Sequence, residues 1–109
     1  MVQLFSLPDR FMSEYREVIV GIAWYRPEQW SMLRALSSDP EVLETTHAEW
    51  LSVVTKTMED LRQQGILVKK IDVDVQELGA WCQSHDRVMD GGARATYVTE
   101  KMKRERVGT

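Results

Sequence analysis

The stretch VIVGIAWY, residues 18–25, decides how the rest of the chain is read. Val18, Ile19, Val20 and Ile22 are β-branched, and apolar residues occupy both parities of the run. A strand wetted on one face alternates apolar with polar residues, whereas a strand covered on both faces does not. The run therefore predicts a strand buried on both sides. Gly21 and Ala23 share one face at period two, and their small size invites close approach by another element. A second strand is predicted in ILVKKIDVDV, residues 66–75, where Leu67, Ile71, Val73 and Val75 alternate with Val68, Lys70, Asp72 and Asp74. That pattern gives one drier and one wetter face.

Between the two strands lie two helices. Pro27 suits a first helical turn, where its missing N–H costs nothing, and Trp30, Leu33 and Leu36 follow at helical spacing up to Ser37-Ser38-Asp39-Pro40. Residues 46–64 form the longest helix, with Thr46 and Glu49 at capping-box spacing, an apolar stripe of Trp50, Val54, Met58 and Leu61, and Gly65 as its C-terminal cap. Strand, helices, strand is a crossover unit, so the two strands are expected to pair in parallel. Asp74 and Glu77 open a further helix over about 75–85, with Leu78, Trp81 and Cys82 on one face. Asp90 caps a last helix to about 104, with Ala95, Val98 and Met102 inward and Tyr97 at the margin. VQLFSL near the N-terminus reads as a short edge strand ending at Pro8, the remainder of residues 1–16 as an arm, and residues 104–109 as a frayed tail. The expected architecture is a small, helix-rich α/β (α+β) single domain with a two- or three-stranded sheet.

With 109 residues the chain is of ordinary domain length, and no linker or repeat divides it. The hydrophobic and charged fractions, 43% and 28%, describe a globular chain and not a disordered one. A formal net charge of −3 excludes a broad basic face for nucleic acid. One cysteine cannot form an intramolecular disulfide, which fits a reducing compartment. The N-terminus lacks the pattern of a secretory leader, and no apolar run approaches a membrane span. These features predict a cytoplasmic protein with no membrane segment.

The sequence also resembles a group of short bacterial proteins of unknown function. The resemblance covers residues 18–98 and rests on Trp24, Tyr25 and Pro27, on Trp50, on Ala80-Trp81-Cys82, and on Ala93, Arg94 and Tyr97. It implies a bacterial, cytoplasmic, single-domain protein and carries no activity.

Four features bear on chemistry. Cys82 and His85 sit three apart on a predicted helix and could form a nucleophile–base pair or part of a zinc site. A buried cysteine beside an exposed histidine is the plainer expectation. Asp72 and Asp74 share one side of a strand end, where such a pair can hold Mg²⁺, but Asp74 is also placed to cap a helix and no phosphate loop accompanies them. In Asp90-Gly91-Gly92-Ala93-Arg94 the glycines bare backbone N–H groups that could receive an anion clamped by Arg94. The competing and preferred reading is a capped turn between helices, with Asp90 accepting those N–H groups and the glycines forming the turn. Finally, Trp24, Tyr25 and Trp30 flank Arg26 at a strand end, where pocket walls are common; Trp50 and Trp81 are expected in the core.

The function expected from these features is a binding or protein-interaction module without catalytic activity, cofactor or metal. It would act as a homodimer or with a protein partner. Its prospective surface is Trp24, Tyr25, Arg26 and Trp30, joined by Arg94 and Tyr97. The alternative is a small enzyme with an aromatic and arginine-lined pocket for a small anionic ligand or a metal, drawing on Asp72, Asp74, Cys82 or Arg94.

Overall fold

The computed structural model of the chain describes residues 4–6 and 19–107. Strand β1 (Leu4–Ser6) pairs antiparallel with β2 (Ile19–Trp24), and β2 pairs in parallel with β3 (Leu67–Asp72), giving the order β1-β2-β3. Ile19 stands opposite Leu67 and Trp24 opposite Asp72, and the ladder continues one step further as Val73 N–H donates to the Trp24 carbonyl at 3.0 Å. The crossover carries a 3₁₀ turn at Pro27–Gln29, helix α1 (Trp30–Leu36), a second 3₁₀ turn at Pro40–Val42 and helix α2 (His47–Gln63). Helices α3 (Val75–Ser84) and α4 (Gly91–Val107) follow β3. The domain is thus a helix-rich α+β unit, and its second and third strands fall where the alternation and β-branching put them.

Val20, Gly21, Ile22 and Ala23 are all buried, as a strand covered on both faces requires. Helix α4 covers the face of Gly21 and Ala23. A Cβ added at Gly21 would lie 2.2 Å from Met102 Sδ, so only glycine admits the helix this close. On the opposite face Trp24 meets Trp50 of α2 edge-on, with centroids 5.2 Å apart.

The helix ends follow the local chemistry of the sequence. Thr46 Oγ1 accepts from Glu49 N–H at 3.1 Å and donates to the Glu49 carboxylate at 3.1 Å, so Thr46 caps α2 as the spacing predicts, with the carboxylate on the hydroxyl of Thr46. Gly65 adopts φ 79° and closes α2, with Gly65 N–H donating to the Arg62 carbonyl and Ile66 N–H to the Leu61 carbonyl. The same Schellman pattern closes α3, with Asp86 at φ 53° in the left-handed position and Arg87 N–H donating to the Cys82 carbonyl at 2.9 Å.

Several expectations need correction. Strand β3 stops at Asp72, because Asp74 leaves the ladder to cap α3. Leu67 is 50% exposed, since β3 is an edge and its first residue lies beyond the helices. Leu36 does not join Trp30 and Leu33 in the core but stands 48% exposed at the end of α1. Gly91 and Gly92 are not a turn between helices: α4 begins at Gly91, and both lie in its first turn. The buried face of α4 is Ala93, Arg94, Tyr97, Val98 and Met102, while Ala95 is half-buried. Residue 104 does not begin a frayed tail, because α4 continues to Val107. Apart from β1, the expectation of an N-terminal arm lies outside the described residues, as do residues 108 and 109.

The contact at Gly21 yields a first prediction. Gly21→Ala should destabilise the protein by about 1–3 kcal/mol through overpacking. Met102→Ala has its own cost, but it should remove most of the penalty of Gly21→Ala, a non-additivity read from urea denaturation of the four variants in a double-mutant cycle.

Candidate functional site: a groove between two helices

Of the residues expected to form a surface, only Arg26 is exposed. Its Nε donates to Glu28 at 3.1 Å, and a guanidinium N–H reaches Asp72 at 3.4 Å. Trp24 is half-buried beneath the Lys70 ammonium, which sits 4.2 Å from its ring centroid. Tyr25, Trp30, Arg94 and Tyr97 are all buried. They form no surface a partner could touch, because the crossover helices and α4 close over them.

Tyr25 and Trp30 belong to an aromatic core with Trp50 and His47. The Tyr25–Trp30, Tyr25–Trp50 and Trp30–His47 pairs are edge-on at 5.7 to 5.9 Å, the favourable geometry for ring quadrupoles. Trp30 Nε1–H donates to the Glu44 carbonyl at 3.0 Å. His47 Nε2 lies 2.7 Å from the Tyr25 carbonyl, and a carbonyl can only accept, so Nε2 carries the hydrogen. The Tyr25 hydroxyl has no hydrogen-bond partner among the described residues. Burial pushes its pKa up, and the nearby Arg94 charge opposes this only in part.

Arg94 binds an anion, but the anion is the protein's own Asp39. Two guanidinium nitrogens meet the two carboxylate oxygens at 2.9 and 3.0 Å, and one of them also donates to Ser37 Oγ at 2.9 Å. The same carboxylate accepts from Gly91 N–H at 3.0 Å, while Asp90 accepts from Ala93 N–H at 2.9 Å. Two aspartates therefore occupy the N-terminus of α4, and the capped alternative for residues 90–94 describes the site better than an external anion. Hydrogen bonding from Arg94 holds the Asp39 carboxyl below its ordinary range, outweighing its desolvation.

The other chemical groups do not converge. Asp74 is the N-cap of α3, accepting from Gln76 N–H and Glu77 N–H. Asp72 faces Arg26. His85 stacks on Trp81 with ring centroids 4.3 Å apart and bonds the Trp81 carbonyl, while Cys82 is buried and burial raises its thiol pKa. Among the described residues no three His, Cys, Asp or Glu side chains gather as a metal site. One buried group had no sequence signal at all. Gln29 Nε2 donates to the Val73 carbonyl at 3.2 Å and its oxygen accepts from Val75 N–H at 2.6 Å, which clamps the junction of β3 and α3.

The concave surface lies elsewhere. A groove of about 590 Å³ runs between α1, α3 and the segment 87–89, with Met32, Leu36, Val88 and Met89 along it and Gly79, Ala80 and Cys82 on the α3 side. Among the described residues, Met32, Leu36 and Val88 are three of the six exposed large apolar residues, so half of that set lies on this one feature. Gln76, Gly79, Ala80 and Gln83 line it from α3 at the spacing of a single helical face. Among the described residues Arg87 is its one charged lining residue and no carboxylate lines it. Leu36 continues the helical spacing of Trp30 and Leu33, so the pattern alone does not reveal its exposure.

Two predictions follow from these contacts. Asp39→Asn leaves Arg94 buried without a counter-charge and should cost about 3 kcal/mol. Because the folded-state pKa of Asp39 is lowered, its stabilisation is present above the unfolded value near pH 4 and is lost as pH falls through the folded value. The unfolding free energy of the variant should therefore vary less below pH 4 than that of the parent. At Gly79 an added Cβ would meet Leu36 and Met89 at 3.7 and 3.9 Å, ordinary contact distances, so Gly79→Ala should stabilise the protein by about 1 kcal/mol in thermal unfolding. Comparison of the chain with protein-family models, with curated proteins and with solved structures returns no match.

Proposed function

We propose that this protein is a non-catalytic interaction module and that the groove between α1 and α3 receives a protein partner. The observation that carries this reading is the gathering of Met32, Leu36 and Val88 along one groove, where water would otherwise wet their apolar surface. A helix face turned to solvent in a chain with 28% charged residues ordinarily carries charge, yet the α3 face along the groove is Gln76, Gly79, Ala80 and Gln83. The catalytic alternative has less support. Of Asp72, Asp74, Cys82 and Arg94, only Cys82 lines the groove, and burial raises its thiol pKa, which disfavours the reactive thiolate. A cytoplasmic location accompanies this reading, supported by the single cysteine; among the described residues no helix is long and apolar enough to cross a membrane.

A second copy of the chain is the less favoured occupant. In a twofold contact of groove on groove each Arg87 would meet a lining that holds no carboxylate among the described residues. Site-specific photocrosslinking in the protein's own cells tests the reading. Benzoylphenylalanine placed at Ala80 or Gln83 should give one shared adduct of defined mass, absent when it is placed at Glu59 on the outer side of α2 and abolished by Leu36→Asp. No adduct from either groove position, or the same adducts from all three, would overturn the proposal. An adduct of two copies of this chain would replace the foreign partner with a homodimer.

A further inference from the structure

We propose that the fold closes the outer edge of β3 to a second copy of this chain, with Lys101 blocking one end, the turn out of α2 blocking the other, and Lys69 set between them. None of the residues of this edge lines the groove.

The edge is defined by the direction of its backbone groups. β2 flanks one side of β3, and no strand flanks the other among the described residues. Peptide groups of successive residues in a strand point to opposite sides. Val73 N–H donates to the Trp24 carbonyl, so the odd-numbered residues of β3 turn their peptide groups toward β2. Val68, Lys70 and Asp72 therefore turn theirs outward. Such a row is a template for another strand, and a second copy brings an identical row.

Both ends of the row are already committed. Ile66 N–H, one step before Val68, donates to the Leu61 carbonyl at 3.0 Å in the closure of α2. At the far end the Lys101 ammonium of α4 donates to the Asp72 carbonyl. Only Val68 and Lys70 keep both outward groups open among the described residues.

A twofold dimer joins two such edges antiparallel, and outward residues must then face outward residues. Centred on Leu67 or Val68, the pairing needs the Ile66 N–H. Centred on Lys70, Ile71 or Asp72, it needs the Asp72 carbonyl. Centred on Lys69, it uses all four open groups of Val68 and Lys70, but it sets Lys69 directly opposite Lys69 of the second copy. That pair is of the non-hydrogen-bonded kind, where opposed side chains stand closest and like charges are destabilising. Lys69 Nζ lies 3.4 Å from the Glu105 carboxylate in a half-exposed ion pair. Pressing two such pairs together would also strip their hydration. Each register is thus blocked by a hydrogen bond already made or by a charge.

The test uses the whole chain. Lys69→Thr with Lys101→Ala removes the opposed charges and releases the Asp72 carbonyl. At equal concentration this variant should show a twofold gain in mass over the parent by sedimentation velocity. Its Val68 and Lys70 amides should exchange with deuterium more slowly as concentration rises, which those of the parent and of Lys101→Arg should not. Proline at an outward position removes an edge N–H and leaves the ladder to β2 intact. Adding Lys70→Pro should therefore restore the parent's mass, with the far-UV circular dichroism of a folded chain. Each single substitution opens one register by itself, so either carries the test by amide exchange if the double variant does not fold. The proposal is overturned by a double variant that keeps the parent's mass at every concentration, or by a gain in mass that survives Lys70→Pro. Concentration-dependent protection of Val68 and Lys70 in the parent would also overturn it, because the edge would then be open.

Discussion

The arrangement of the helices depends on one buried ion pair. Arg94 is almost wholly enclosed, and a guanidinium cannot shed its charge, so its burial demands a fixed partner of opposite sign. Asp39 is that partner. It lies in the loop after α1, and it ties this loop to the first turn of α4 through both the guanidinium and the Gly91 N–H. Ser38 N–H donates to the Met89 carbonyl at 2.8 Å beside it, in a short parallel bridge between Ser37 and Met89. The end of α1 is thus held against the segment leading into α4. That junction lies beside the groove, where Ser38 and Met89 line it.

Much of the fold was legible because its signals are local. Burial of the second strand on both faces, the Thr46 cap, the Gly65 closure and the Asp74 cap each concern neighbours a few residues apart, and each appears in the structure. The parallel pairing followed from the crossover rule. What was not legible depends on residues far apart in sequence. Asp39 and Arg94 meet across the whole middle of the chain, so the sequence could not show that the carboxylate facing Arg94 is Asp39. Gln29 likewise finds its partners at Val73 and Val75. A glutamine carries no periodic signature, and only the tertiary structure shows that both ends of its amide are used.

The same limit displaced the candidate site. Tyr25 and Trp30 lie where strand ends often line a pocket, but here the crossover folds back over them and His47 and Trp50 complete an aromatic core. Their chemistry is spent on internal contacts. The residues that do gather at a concave surface, Met32, Leu36, Gly79, Ala80 and Val88, are individually unremarkable in sequence. Leu36 even continues a core spacing. Surface apolarity becomes informative only when several such residues share one hollow, and this is a property of the assembled helices and of no single segment.

The glycine face of β2 has a consequence for how the chain folds. The strand finds its parallel neighbour only after the entire α1–α2 crossover has been made, and its Gly21–Ala23 face is covered later still, by α4. Pairings between residues so distant carry a large loop-closure cost and form slowly. On a ribosome, α2 can form with its Thr46 cap and Schellman closure already in place, while β2 waits with an apolar face uncovered until Met102 emerges. Glycine and alanine leave that waiting face with little side chain to stick to its neighbours. The residues that admit a close helix in the finished domain therefore also make the unfinished strand a poorer template for aggregation.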